Sequence, residues 1–417
     1  MTLCLYERYQ TQTKKFFYFL SLLAFTIALL FKPSVVILPM LILLIDYFIH
    51  IKKPNLTSLI PFLALSFFSS LITLYSQKQE GALKALHDIS FSDRFTVSSM
   101  AYLSYLEKTF YPHALSVFYP LTLYPFYWGV LASLALISIT LTGFFLRKKV
   151  PAFLFSWIWF VVAIFPVCGL FQVGGQAMAD RWTYWPHVGI ILGLGLYLHQ
   201  SHFFKKYQQH ILTGLVGLLL LLSYQTHLNM MYWKNSETLF THALEVTQNN
   251  FLAHTNLGVA LGQNGNQVAA QAHYEAALRI DPHYTEAINN LGGIYARQGN
   301  LTAAIPLFLE ALEHNPADRE ARYNLGLAYY QTGQKIKALS TWLHLAIENP
   351  DYQPTWGSLS FVAQHDFASI CEFKNQTPEN IREDLDLMKH WLELWIPKAN
   401  IPNLNESIKT LKQCIFK

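Results

Sequence analysis

Read from the N-terminus, the chain alternates long apolar runs with short polar breaks to about residue 230, then changes to a helical rhythm that repeats every 34 residues. Seven runs predict apolar helices: Phe16–Phe31, Ser34–Ile49, Thr57–Tyr75, Pro125–Leu146, Pro151–Phe171, Tyr184–His199 and His210–His227. Lys32–Pro33 divides the first two. A run of 16 residues rises about 24 Å, short of a bilayer core of about 30 Å. Two short spans turning at Lys32–Pro33 therefore fit better than one long helix. A cleaved signal peptide is the rival reading of the first run, but a second apolar run follows at once and no A-x-A site does. Phe95–Pro112 is nearly as apolar yet carries Glu107–Lys108. A charge near the centre of a spanning helix costs about 2.5–3.5 kcal/mol, so this stretch predicts a helix lying in the interface.

The 34-residue rhythm begins at Trp233. Phe240, Tyr274, Phe308 and Trp342 recur at that spacing, as do Ala243, Ala277 and Ala311, with Leu345 in the last place. Leu257–Gly258, Leu291–Gly292 and Leu325–Gly326 recur likewise, followed by Gly265, Gly299 and Gly333, and by Pro282, Pro316 and Pro350. Glycine after leucine lets two helices approach, the second glycine ends the first helix, and proline stops the second. These positions match the tetratricopeptide repeat. Three full units fit, Phe251–Tyr284, Thr285–Asp318 and Arg319–Tyr352, with Trp233–Asn250 and Gln353–His365 as partial units. The predicted architecture is all-α: a polytopic membrane bundle of about seven spans over 1–230, a repeat solenoid over 231–365, and capping helices over 366–417, at Pro378–Trp395 and Leu404–Phe416.

Charge separates the same two halves. Residues 1–230 hold 16 Lys/Arg against 7 Asp/Glu, and residues 231–417 hold 14 against 19. With seven spans, the basic clusters Lys14–Lys15, Lys52–Lys53, Arg147–Lys149 and Lys205–Lys206 all fall on one side, as the positive-inside rule requires. The repeats are then expected outside the cytoplasm, on a multi-pass protein of the inner (cytoplasmic) membrane. No basic cluster with interleaved aromatics points to nucleic acid. Asp46 lies one helical turn before His50, a spacing that predicts a paired acid near the inner interface. Of the four cysteines, Cys168 sits in an apolar run; Cys371 and Cys414 pair or stay free according to compartment, and no zinc or CxxC spacing is present.

The polar island Gln172–Pro186, QVGGQAMADRWTYWP, stands between two apolar runs. Adjacent glycines, a fixed positive charge at Arg181 and three aromatics give it a binding composition at the membrane surface. In the repeats, Asn256, Asn290 and Asn324 share one position just before Leu-Gly. Stacked units line such amides along the concave face, where they can hydrogen-bond the backbone of an extended protein or peptide partner. Tyr323 adds aromatic surface. The other reading is that Asn-Leu-Gly is simply frequent in this repeat type.

The ordered segments FKPSVVILPMLILLIDYF, SYLEKTFYPHALSVFYP, FPVCGLFQVGGQAMADRWTYWPHVGI and YWKNSETLFTHALEVTQNNFLAHTNLG resemble bacterial multispanning tetratricopeptide proteins. Through them the chain resembles the transmembrane-and-tetratricopeptide-repeat O-mannosyltransferase family, from about Phe16 to Tyr352. The resemblance implies a GT-C glycosyltransferase that moves a sugar from a polyprenyl-phosphate donor to extracytoplasmic protein. It also implies a catalytic acid on the first outer loop, which here is only Lys32–Pro33, as in an N-terminally truncated or split form. No catalytic residue is assigned: Glu80, Asp88, Asp93, Glu107 and Asp180 are the other outer acids of this half, and none matches a motif. Arg181, with Asp180, Gln176 and Tyr184, is the candidate ligand for the donor phosphate, because guanidinium pairs with phosphate oxygens bidentately. Alternatively Asp180 and Arg181 form a structural pair. No metal or cofactor is expected beyond the lipid-linked sugar. The alternative function is a non-catalytic, membrane-anchored scaffold for protein partners.

Overall fold

The computed structural model describes residues 1–50, 56–79, 89–170 and 175–365, nearly all of it helical. Lys52–Lys53, Glu80, Asp88, Gln172–Gly174, Cys371, Cys414 and both expected capping helices lie outside the described residues. The chain divides into two compact units, 1–250 and 251 onward.

In the first unit, α1 (Thr2–Gln12) precedes α2 (Lys15–Phe31), a short 3-10 turn Pro33–Ile37 and α3 (Leu38–Phe48). Then come α4 (Leu56–Gln79), α5 (Phe91–Phe110), α6 (Phe126–Leu146), α7 (Pro151–Ile164), α8 (Tyr184–Gln200), α9 (His202–Met230) and α10 (Ser236–Val246). Each of the seven apolar runs is helical over most of its described length, Pro151–Phe171 only as far as Val167. By length and composition three helices are able to cross a membrane, over Leu56–Gln77, Phe126–Leu146 and His202–Lys234; Lys15–Phe31, Pro33–Phe48 and Pro151–Val167 are shorter apolar helices. The last long helix starts eight residues before the apolar run and carries non-helical backbone at Tyr207. The turn at Lys32–Pro33 is present: Lys32 is extended and proline opens the 3-10 turn.

α7 and α8 pack tightly because glycine permits it. A Cβ at Gly189 would collide with the Trp159 ring, and one at Gly193 with Ser156. Trp159 is fully buried and donates from Nε1 to the Trp185 carbonyl at 2.9 Å. Cys168 is buried among Tyr105, Trp157 and Ile164. Asp46, 4% exposed, meets His50 Nδ1 at 3.2 Å, and His50 Nε2 meets Glu7 at 3.2 Å.

α5 takes a different course from its neighbours. Thr96 fills the gap at Gly129, Ser99 Oγ meets Ser133 Oγ at 2.9 Å, Tyr102 donates to the Val161 carbonyl at 2.9 Å, and Thr109 Oγ1 meets His187 Nε2 at 2.9 Å. Those partners occupy the first two turns of α6, the last turn of α7 and the first turn of α8. α5 therefore lies across one end of three helices.

The second unit is a stack of helix pairs: α11 (Phe251–Gln263) with α12 (Gln267–Ile280), α13 (Thr285–Arg297) with α14 (Leu301–His314), and α15 (Arg319–Gln331) with α16 (Lys335–Glu348). α17 (Gln353–His365) follows as a single helix. Each expected device is in place. Gly265, Gly299 and Gly333 have φ of +86°, +79° and +79° just after a first helix, a left-handed turn that only glycine adopts without strain. A Cβ at Gly292 would stand 2.8 Å from the Phe308 ring. Tyr274, Phe308 and Trp342, one per unit, are buried against Gly258, Gly292 and Gly326.

Candidate functional site

The polar island is folded by a small antiparallel ladder. β1 (Tyr119–Pro120) pairs with β2 (Gln176–Met178), Tyr119 opposite Met178 and Pro120 opposite Gln176. The Leu121 N–H reaches the Gly175 carbonyl at 2.8 Å, and the Ala179 N–H donates to Tyr105 Oη on α5 at 2.9 Å. A 3-10 turn, Asp180–Thr183, then leads into α8. Residues separated by about sixty positions in sequence are thereby brought together.

Asp180 does not pair with Arg181. Its Oδ2 accepts from Tyr119 Oη at 2.7 Å and from the Ser116 N–H at 3.2 Å. Adjacent residues on a helical turn do not face each other, so the acid turns inward and the guanidinium outward. Burial is the main influence on the Asp180 carboxyl and raises its pKa; the Tyr119 hydrogen bond, the Lys108 charge and the Ser116 N–H oppose that rise. Burial, then Asp180, pushes the Tyr119 phenol up in turn. Lys108 Nζ donates to the carbonyls of His113 and Ala114 at 2.9 and 3.0 Å and lies 5.0 Å from the Tyr119 ring centre. Its own pKa is lowered by burial, with Asp180 and Glu107 acting in the other direction. Ala114 sits at φ +47°, left-handed backbone in a residue with a Cβ, immediately beside these bonds.

Arg181 is exposed and makes no ion pair among the described residues. Its Nη2 donates to Gln176 Oε1 at 3.4 Å and its guanidinium lies 5.6 Å from the Trp182 ring centre. Asp180 and Arg181 share a cavity of about 180 Å³ with Ser116, Asn229, Tyr232 and His242. Tyr232 and His242 stack with ring centres 3.6 Å apart and planes 5° from parallel. Tyr184 is exposed, outside this cavity lining. Of the other outer acids within the described residues, Asp93 accepts from Ser90 Oγ at 2.6 Å at the start of α5, and Glu107 lies 3.7 Å from His113 on the surface.

A second, apolar groove of about 570 Å³ runs along α7 and α8. Leu106 and Phe110 of α5 line one end, and Val150, Ala152 and Tyr197 line the other.

In the repeat unit, Asn256, Asn290 and Asn324 hold the same place on α11, α13 and α15, each half-buried. Asn256 Nδ2 donates to its own helix at the Leu252 carbonyl, 2.9 Å, and Asn324 Nδ2 donates to Asn289 Oδ1 at 3.0 Å across the repeat junction. Tyr323 Oη meets Ser358 Oγ at 3.1 Å. Between α15 and α17 a cavity of about 340 Å³ is walled by Tyr323, Tyr330 and Phe361, with Trp342 beneath.

Sequence reasoning missed Tyr119, Ser116, Lys108, Tyr232 and His242. All five lie in the quoted segments SYLEKTFYPHALSVFYP and YWKNSETLFTHALEVTQNNFLAHTNLG. Their meeting with Asp180 depends on the β1–β2 pairing, which two- and three-residue strands do not announce.

A family model described as tetratricopeptide repeat matches residues 255–313 and 289–354. Protein O-mannosyl-transferase F38B6.6 of Caenorhabditis elegans is 28% identical over 159 residues, covering 37% of this chain and 22% of that protein. Protein O-mannosyl-transferase TMTC4 of Homo sapiens is 33% identical over 116 residues, covering 27% and 15%. The chain thus spans less than a quarter of the length of these relatives. It resembles protein O-mannosyl-transferases and carries tetratricopeptide repeats. Among solved structures, MamA from Desulfovibrio magneticus is 17% identical with a TM-score of 0.30, covering 43% of this chain and 96% of that one.

Proposed function

We propose that this chain is a multi-pass membrane protein of a glycosyl-transfer system, acting on a polyprenyl-phosphate-linked sugar at the extracytoplasmic face. The observation that carries the reading is the separation of Asp180 from Arg181. The acid is held by Tyr119 and Ser116, and the exposed guanidinium, paired with no acid among the described residues, lines a small cavity. A planar cation so held suits a phosphate oxygen pair. Asp180 is then a positioning residue, and Gln176 steadies Arg181 through its amide oxygen. The apolar lining of the groove along α7 and α8 suits a lipid tail.

In the transfer, the acceptor hydroxyl oxygen bonds to the sugar's anomeric carbon while the bond to the carrier phosphate breaks. The hydroxyl proton needs a base, and no described residue is assigned to it. A topology of seven spans puts Lys14–Lys15, Arg147–Lys149 and Lys205–Lys206 in the cytoplasm and the repeats outside, in the periplasm of a bacterium. The course of α5 across helix ends supports that parity, because an interfacial helix adds no crossing.

The test is binding of polyprenyl phosphate to the full chain in nanodiscs, read by native mass spectrometry. Arg181→Ala is expected to lose the bound lipid while its thermal midpoint stays unchanged. Retained lipid in that variant would sink the donor-site assignment. Glycoproteomics of cells with and without the chain tests the transfer itself, and an unaltered glycoproteome would overturn it.

A second reading, a membrane-anchored scaffold, is favoured by the aromatic cavity between α15 and α17 beside the Asn256, Asn290 and Asn324 column. It predicts a crosslinked protein partner that is lost in Tyr323→Ala and kept in Arg181→Ala.

A further inference from the structure

Four histidines of the repeat unit form two close pairs. His254 Nδ1 lies 3.0 Å from His273 Nδ1, and His283 Nδ1 lies 3.0 Å from His314 Nε2. The pairs differ in surroundings. His254 and His273 are half-buried; burial, followed by the charges of His273 and Arg279, pushes His254 down, and burial pushes His273 down. Added positive charge is disfavoured there.

His283 and His314 are both exposed, and what surrounds them attracts a cation. His314 is the last residue of α14, at the negative end of the helix dipole. The Asp281 carboxylate lies alongside, accepting the His283 backbone N–H at 3.1 Å. We propose that His283 and His314 form a two-histidine chelate for a borderline divalent cation, zinc(II) or copper(II), seated between successive repeats.

Imidazole is a preferred ligand of both ions. Two zinc–nitrogen bonds of about 2.0–2.1 Å at a tetrahedral angle set the nitrogens about 3.3 Å apart. Two exposed rings reach that from 3.0 Å by a small rotation. In the hydrogen-bonded pair one ring donates its N–H to the other's lone pair; in the chelate both nitrogens present lone pairs. The donor's proton moves through water to its other ring nitrogen, and no net proton is released. Among the described residues no group of three His, Cys, Asp or Glu side chains converges on one point. The ion's remaining positions therefore go to water or to a group on a bound partner. His283 follows α12 and His314 closes α14, so the ion ties the end of one repeat to the end of the next.

The experiment is zinc titration of the metal-stripped full chain in detergent micelles, by calorimetry, with copper(II) paramagnetic resonance as a second readout. His283→Ala and His314→Ala are each expected to weaken the tightest site by at least about tenfold, and the double variant to do no worse than either. His254→Ala is expected to bind as the parent does. Zinc is also expected to raise the thermal midpoint of the parent and of His254→Ala, but not of the other two. Circular dichroism of the metal-free variants checks that the helices are intact. If both variants bind zinc as the parent does, the pair is a hydrogen bond between imidazoles and nothing more.

Discussion

The two units of this chain reach their structures by opposite routes. In the repeat unit, the decisive contacts join helices adjacent in sequence: Gly258 meets Tyr274, Gly292 meets Phe308, Gly326 meets Trp342, each 16 residues on. In the first unit, the contacts that make the site cross long stretches of chain. Tyr119 bonds to Asp180, and the buried Asn250 donates to the Phe118 carbonyl at 3.2 Å, 132 residues away. A local, periodic code is repeated and readable; a long-range one is written once.

That contrast is open to measurement. The largest effect is expected from Trp342→Ala, which empties a fully buried site beneath α15 and α17 and costs about 3–5 kcal/mol. Loss of helicity confined to the last repeat, with the first unit unaffected, is the expected outcome by hydrogen exchange; melting of both units together would break the comparison. Gly189→Ala comes next. Its Cβ collides with Trp159, which is pinned to Trp185, and overpacking of this kind costs about 1–3 kcal/mol. The thermal midpoint in micelles should fall, whereas Gly195→Ala, which meets nothing, should leave it in place.

Tyr119→Phe removes the hydroxyl that holds Asp180, at a cost of about 1–3 kcal/mol for the group left underserved. The sign of its pH dependence follows from Asp180, whose folded pKa is already raised by burial and is restrained by Tyr119. Without that hydrogen bond it rises further. The deficit against the parent should therefore vanish below the carboxylate range, where Asp180 is neutral in both proteins, and grow as the pH climbs through it. Asp180→Asn in the Tyr119→Phe background should flatten the profile; an unaltered profile would mean that the deficit comes from packing alone. Arg181→Ala, exposed and free of ion pairs, stands at the small end, within about 0.5 kcal/mol of the parent in stability while losing lipid phosphate.

These differences explain what was legible beforehand. The three repeat units, the glycines that end each first helix and the single helix Gln353–His365 were readable because each depends on neighbours at fixed offsets. The seven apolar helices were readable from their runs, and so was the Asp46–His50 contact, one turn apart on the chain. The partner of Asp180 was not. Adjacency in sequence pointed to Arg181, but consecutive residues on a 3-10 turn diverge, and the carboxylate found a phenol on a strand too short to leave a pattern. Nor did the Asn-Leu-Gly motif show that Asn324 bonds to Asn289, since that depends on how two units stack.

The course of α5 has one further consequence. Along its length it grips α6 through Thr96 and Ser99, α7 through Tyr102, the loop before α8 through Tyr105, and α8 through Thr109. A loop suspended from one helix inherits every tilt of that helix. This one hangs from a crossbeam resting on three, so the tilt of a single support reaches Asp180 and Arg181 diluted among the others.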